Sequence, residues 1–135
     1  MTPQQPASEL TNVLESIPPG KALDLAAGEG RHTRWLQERG WQVTSIDREQ
    51  ADLEKHEYRI EPGAWDLIVC WLYWQEDLMP EIAAGVKSGG IAALAGKTTG
   101  RFATSLENYR KALKDWTELS AGQTATRAHL IARKP

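Results

Sequence analysis

The chain has 135 residues, a net charge of −2 and one cysteine, with 41% hydrophobic and 25% charged residues, which suits one soluble domain around a single core. A sequence pI near 5.9 leaves no overall electrostatic footprint for nucleic acid, and no apolar run approaches the roughly 20 residues of a membrane span. A lone Cys70 excludes an intramolecular disulfide and fits a reducing cytoplasm.

Met1 to Pro6 is polar, lacks the basic-then-apolar layout of a signal peptide and reads as a frayed tail. Ala7 to Ile17 places Leu10, Val13, Leu14 and Ile17 on one helical face, and Pro18-Pro19-Gly20 stops that helix. Ala22 to Leu25 is an apolar strand. A helix over Thr33 to Arg39 ends at Gly40, and Trp41 to Ile46 is the second strand. Further on, Trp65 to Trp71 is a strand, Asp77 to Val86 a helix, Ile91 to Gly96 a strand and Leu106 to Asp115 a helix. Trp116 to Ser120 and Thr126 to Arg133 close the chain as a β-hairpin. The sequence contains no internal repeat and no low-complexity segment.

The richest stretch is Ala22-Leu23-Asp24-Leu25-Ala26-Ala27-Gly28-Glu29-Gly30-Arg31, followed after one helix by Val43-Thr44-Ser45-Ile46-Asp47. Strand, glycine turn, helix and strand make the first βαβ unit of a nucleotide-binding sheet. Gly28 and Gly30 allow a sharp turn and close approach of a ligand to the backbone. The helix beginning near Arg31 aims its free N–H groups at that ligand. Asp47, at the end of the second strand, can accept hydrogen bonds from vicinal ribose hydroxyls. The third glycine of the dinucleotide fingerprint is replaced by Thr33, and Asp24 would repel a pyrophosphate. A cationic ligand with amine and hydroxyl donors suits this turn better, which favours S-adenosylmethionine over NAD.

With these residues the chain resembles the class I S-adenosylmethionine-dependent methyltransferases. Trp65-Asp66-Leu67-Ile68-Val69-Cys70-Trp71 is similar to that family's fourth strand and Leu78 to Val86 to the helix after it. Lys87-Ser88-Gly89-Gly90 before Ile91 to Ala95 is similar to its turn into the fifth strand, and Trp116 to Lys134 to its closing antiparallel pair. The resemblance runs from about Lys21 to the C-terminus. Within the family it points to the small bacterial members, including the tellurite-resistance type, whose substrates are not uniform. It implies a three-layer α/β/α sandwich with a mostly parallel, Rossmann-like sheet and an antiparallel strand near the C-terminal edge. It implies S-adenosylmethionine as cofactor, held by Asp24, Ala26, Gly28, Gly30, Asp47, Asp52 and Cys70, with Trp71 and Tyr73 beside the substrate.

The interval after Asp47 departs from the family, because only residues 48–65 separate it from Asp66. A standard member fits a helix, a strand and a loop there. Tyr58-Arg59-Ile60 could be a remnant of the third strand. Alternatively the helix and strand are deleted, and Ala51-Asp52-Leu53-Glu54 corresponds to the loop after the third strand. The second reading is preferred; it places Asp52 where an acid accepts from the adenine amine, with Leu53 or Ile60 as apolar cover. A missing edge would also expose backbone and apolar surface that a homodimer would cover.

Other candidates weigh less. Trp71, Tyr73 and Trp74 follow a strand at the ligand-binding edge, but Trp71 and Trp74 equally suit a core cover. Cys70 reads better as a small buried residue than as a nucleophile. His32, His56 and His129 have no metal-like spacing, so no metal is expected. Lys97 and Arg101 could face an anionic substrate, though a solvated loop suits them better. Tyr73, Asp77 or His32 could act as a general base. The expected activity is methyl transfer to an unidentified small molecule, with no nucleic-acid or membrane partner. A non-catalytic ligand-binding or partner-supporting protein is the main alternative, and a nicotinamide-dependent oxidoreductase a weaker one.

Overall fold

The computed structural model describes residues 5–135; residues 1–4 of the expected tail lie outside them, while the Gln5 carbonyl accepts a hydrogen bond from Arg31. The elements are α1 (Ser8–Leu14), β1 (Lys21–Leu25), α2 (Arg31–Glu38), β2 (Gln42–Ile46), β3 (Trp65–Trp71), α3 (Met79–Gly85), β4 (Val86–Lys97), α4 (Leu106–Ala112), β5 (Thr117–Gln123) and β6 (Arg127–Arg133). They build one six-stranded sheet in the order β2-β1-β3-β4-β6-β5. β2, β1, β3 and β4 run parallel, whereas β6 pairs antiparallel with both β4 and β5.

The period of two along each strand sorts side chains to opposite faces. Leu67, Val69 and Trp71 join Leu10, Leu14 and Leu36 under α1 and α2. Ile68 and Cys70 join Leu78, Ile82 and Tyr109 under α3 and α4. Cover on both faces explains why β1 and β3 are apolar runs without polar alternation. The result is the expected three-layer α/β/α sandwich.

Several boundaries move. α1 is Ser8–Leu14 and α4 Leu106–Ala112, each shorter than the helical pattern. The helix expected over Asp77 to Val86 divides into a 3-10 turn, Glu76–Leu78, and α3, with Pro80 in its first turn. Val86 already belongs to β4 and pairs with Trp65 before the register shifts to Ile91 opposite Leu67. The expected Lys87–Gly90 turn is thus an irregular start of that strand. The Gly89 N–H is taken by the Lys134 carbonyl.

The largest departure is the one anticipated after Asp47. No helix or strand occurs between Ile46 and Trp65, and Tyr58-Arg59-Ile60 is not a strand. β2 is therefore an edge strand. Ala51, Leu53 and Ile60 are instead buried in the core on the α3 face, so three anchored loop residues cover what a helix and strand would have covered. Gly85 makes this fit possible, since a Cβ there would overlap Ile60 Cγ2 and press on Ile68 Cδ1. Gly85→Ala is expected to destabilise the protein by about 1–3 kcal/mol through overpacking. Urea unfolding of the variant checks this, and an unchanged midpoint would mean that the loop re-seats freely.

Candidate active site

The C-terminal ends of β1, β2 and β3 meet at a groove, the place where open parallel sheets bind ligands. Its first wall is the turn after β1. Ala26, Gly28 and Gly30 all lie in the left-handed region, with φ of 54°, 57° and 83°. Gly28 has nothing within 4 Å of the position of a Cβ, so a side chain there would project into the open groove. Ala26 carries its Cβ in a conformation that L-residues disfavour, a strain found disproportionately at ligand sites. The turn is fixed by the Ala27 N–H, which donates to Ile46 O at 3.2 Å, and by the Gly30 N–H, which donates to Ala27 O. α2 follows at once, with Gly30 as its cap.

Asp47 is the hinge of the groove. It borders one cavity along the glycine turn, with Gly28, Gly30, Thr33 and Ser45, and a second beside Ala26, Asp52, Leu53 and Tyr73. The second has a volume of about 290 Å³. The Asp47 backbone is held on both sides: Gln50 Oε1 accepts from its N–H at 2.8 Å, and its carbonyl accepts from Gln50 and Ala51. Gly28 and Gly30 thus line one cavity, Ala26, Asp52 and Tyr73 the other, and Asp47 both.

Three expected residues lie beneath this surface instead of on it. Asp24 is 1% exposed, and its Oδ2 accepts the Thr33 hydroxyl at 2.6 Å. Thr33 Oγ1 is also 2.6 Å from Ser45 Oγ, so two hydroxyls separate the carboxylate from the groove. Burial raises the Asp24 carboxyl to about 6, against the opposing bonds from Thr33. Cys70 is buried, its thiol pushed up to about 12 by desolvation, which removes it as a nucleophile. Trp71 is 5% exposed and packs between His32 and His129, with ring centroids 6.0 and 6.1 Å away. It turns to the α1–α2 face because strand alternation sends it opposite Cys70, so the structure corrects its placement beside a substrate.

A hydrogen-bonded clasp, not anticipated from the sequence, ties the shortened loop to the segment after β3. The Gln75 amide donates to Leu53 O at 3.1 Å and to Asp77 Oδ1 at 2.7 Å. Gln75 Oε1 accepts from the Tyr73 hydroxyl at 2.6 Å, and His56 Nε2 lies 3.0 Å from Asp77 Oδ2. Long-range polar pairs of this kind leave no periodic signal in a sequence. Burial beside several carboxylates raises the Tyr73 phenol to about 12, which makes it a donor and not a general base near neutrality. His32 is no free base either: its Nε2 accepts from the Ala7 N–H at 3.1 Å, and burial lowers the ring to about 4. Among the described residues no cluster of His, Cys, Asp and Glu could hold a metal ion, and no helix is long and apolar enough to cross a membrane.

Known proteins share this architecture. A 1,6-didemethyltoxoflavin-N1-methyltransferase from Burkholderia thailandensis, solved with bound 1,6-didemethyltoxoflavin and S-adenosylhomocysteine, superposes with a TM-score of 0.68 at 17% identity, over 93% of this chain and 76% of that one. An S-adenosylmethionine-dependent methyltransferase from Mesorhizobium loti gives 0.71 at 14% identity, over 95% and 98%. Phosphoethanolamine N-methyltransferase 2 from Haemonchus contortus, solved with S-adenosyl-L-methionine, gives 0.71 at 14%, over 95% and 51%. No curated protein matches the sequence. The fold is therefore that of the S-adenosylmethionine-dependent methyltransferases. The model of the tellurite resistance protein TehB family matches residues 1–77, more than half of the chain and all of the glycine turn, Asp47 and the shortened loop. The chain belongs to the TehB family.

Proposed function

We propose that the protein transfers the methyl group of S-adenosylmethionine to a small molecule. The observation that carries this reading is the pair of cavities that share Asp47, one along a bare glycine turn and the other walled by Ala26, Asp52, Leu53 and Tyr73. The donor set fits this cofactor. Asp47 would take the ribose hydroxyls, Asp52 and Leu53 the adenine, and the turn at Gly28 and Gly30 the amino-acid end. Asp24 contributes through its field. A carboxylate buried under the turn is costly to ionise, and a cation seated above it offsets that cost. Thr33 and Ser45 hold it in place. S-adenosylmethionine brings a methyl group already activated by its sulfonium, so positioning is the main task of the protein, worth about 7–11 kcal/mol in favourable cases. Tyr73, with its hydroxyl held by Gln75, closes the groove on the side where an acceptor must approach.

Calorimetric titration with S-adenosylhomocysteine and with NADH tests the reading. The first is expected to bind and the second not; the reverse would restore the oxidoreductase alternative. Asp52→Ala is expected to weaken S-adenosylhomocysteine by about 1 kcal/mol, the worth of a hydrogen bond at a partly exposed site. Equal affinity of wild type and variant would place adenine elsewhere. Location in the cytoplasm is part of the same proposal, and fractionation of the producing cells tests it.

A further inference from the structure

Across Tyr73 from the cofactor groove lies a cavity of about 410 Å³, walled by the segment after β3 (Leu72, Tyr73, Trp74) and the loop after β4 (Lys97, Arg101, Phe102). We infer that it binds a small organic anion with a flat apolar body, and that this is the methyl acceptor; the second half rests on the proposed activity.

Four observations converge on that chemistry. First, Phe102, 52% exposed, and Leu72, 38% exposed, are two of the three exposed large hydrophobics among the described residues, and both stand on this wall. Scattered apolar residues need no explanation, but a pair facing one cavity beside Tyr73 and Trp74 does. Second, Leu72 is held at φ 62°, a conformation costly for a bulky side chain and of a kind that clusters at ligand sites. Third, the only charged residues on the wall are cationic. Among the described residues neither Lys97 nor Arg101 makes a salt bridge, although Arg101 rests 5.2 Å from the Phe102 ring centroid. The neighbouring cavity shares Tyr73, Trp74, Arg101 and Phe102 with this one but adds Glu54, Glu76 and Asp77, so Arg101 stands between an acidic recess and this one, and Lys97 faces this one alone. Fourth, the walls are supported. The Thr104 N–H donates to Lys97 O at 2.9 Å, Thr98 Oγ1 donates to Ala125 O at 2.6 Å, and Trp74 meets Tyr109 edge-on at 5.3 Å.

Two unpaired cations fit a carboxylate or a comparable acidic group. Flat aromatic walls and a volume within the roughly 300–1,000 Å³ of small-molecule pockets fit an organic body and exceed what an inorganic oxyanion fills.

The test uses 2-naphthoate, its neutral counterpart 2-naphthalenemethanol and inorganic phosphate, each titrated calorimetrically into the full chain. S-adenosylhomocysteine is titrated separately. 2-Naphthoate is expected to bind more tightly than the alcohol, and phosphate not to displace it. The double variant Lys97→Gln, Arg101→Gln is expected to weaken 2-naphthoate roughly tenfold or more, the loss that follows from removing charged hydrogen bonds. Its affinity for the alcohol should be unchanged, and the distant Lys111→Gln should bind 2-naphthoate as wild type does. The inference is overturned if the double variant, folded by its thermal melt, binds 2-naphthoate like wild type. Equal binding of the alcohol, full competition by phosphate, or no binding of 2-naphthoate would overturn it equally. Charge-dependent 2-naphthoate binding without any affinity for S-adenosylhomocysteine would uphold the anion site and sink the methyltransferase reading. The converse result would do the opposite.

Discussion

Asp24→Asn is expected to stabilise the protein by roughly 3 kcal/mol at neutral pH, while weakening the cofactor. The argument starts from burial. Desolvation raises the Asp24 carboxyl from 3.8 to about 6, and that displacement corresponds to roughly 3 kcal/mol needed to ionise it in the folded protein. The folded state therefore binds this proton more tightly than the unfolded chain does. Its contribution to stability is fully present below about pH 4, falls as pH rises to about 6, and stays low above. His32 has the opposite slope. Burial lowers it from 6.5 to about 4, so its neutral form favours the fold above about pH 6.5, and that contribution is lost as pH falls toward 4. In the wild type the two slopes oppose each other across this window. Asparagine keeps the size and the bond to Thr33 but has no proton to lose, so only the His32 slope should remain. Urea unfolding between about pH 4 and about pH 8 measures this. The variant should match the wild type at the acid end and exceed it increasingly toward neutrality. A constant difference at all pH values would mean that Asp24 is not the titrating group. The lost negative field should weaken cationic S-adenosylmethionine more than uncharged-sulfur S-adenosylhomocysteine; equal weakening would reduce Asp24 to a support for Thr33.

Asp47→Ala is expected to weaken S-adenosylhomocysteine by about 1.5–3 kcal/mol, the worth of hydrogen bonds to a charged acceptor, which is about tenfold to 150-fold in dissociation constant. The side chain makes no hydrogen bond or salt bridge among the described residues, whereas its backbone is tied to Gln50 and Ala51. The fold should accordingly be unaffected, and a thermal melt of the free variant separates the two effects. An unchanged dissociation constant would make Asp47 an ordinary strand-end carboxylate and move the ribose off this groove.

Much of the molecule was legible in the residues because its signals are local. The apolar runs Ala22–Leu25 and Trp65–Trp71 read as doubly covered strands, since a parallel sheet buries both faces. Gly28, Gly30 and Asp47 announced the turn and the strand-end acid by spacing alone. The shortness of the 48–65 interval marked it as the place where the family pattern fails, and the structure decided between a strand remnant and a deletion. By itself, then, the sequence determined the layers and the interval at which the sheet is cut short.

What only the tertiary structure decided depends on which side chain meets which across the fold. Strand alternation turned Trp71 and Cys70 into opposite cores, and the hydroxyls of Thr33 and Ser45 came to lie over Asp24. The clasp from Gln75 to Leu53 spans 22 residues of chain, and the seat of Ile60 depends on a glycine 25 positions away. Lys97 and Arg101 acquired a common cavity only when the loop after β4 folded beside the segment after β3. Periodicity records the environment of a residue along its own element. Partners brought together by the sheet have no fixed separation in the chain, so the strand-end residues could be read from sequence while the contacts of Asp24, Gln75, Lys97 and Arg101 could not.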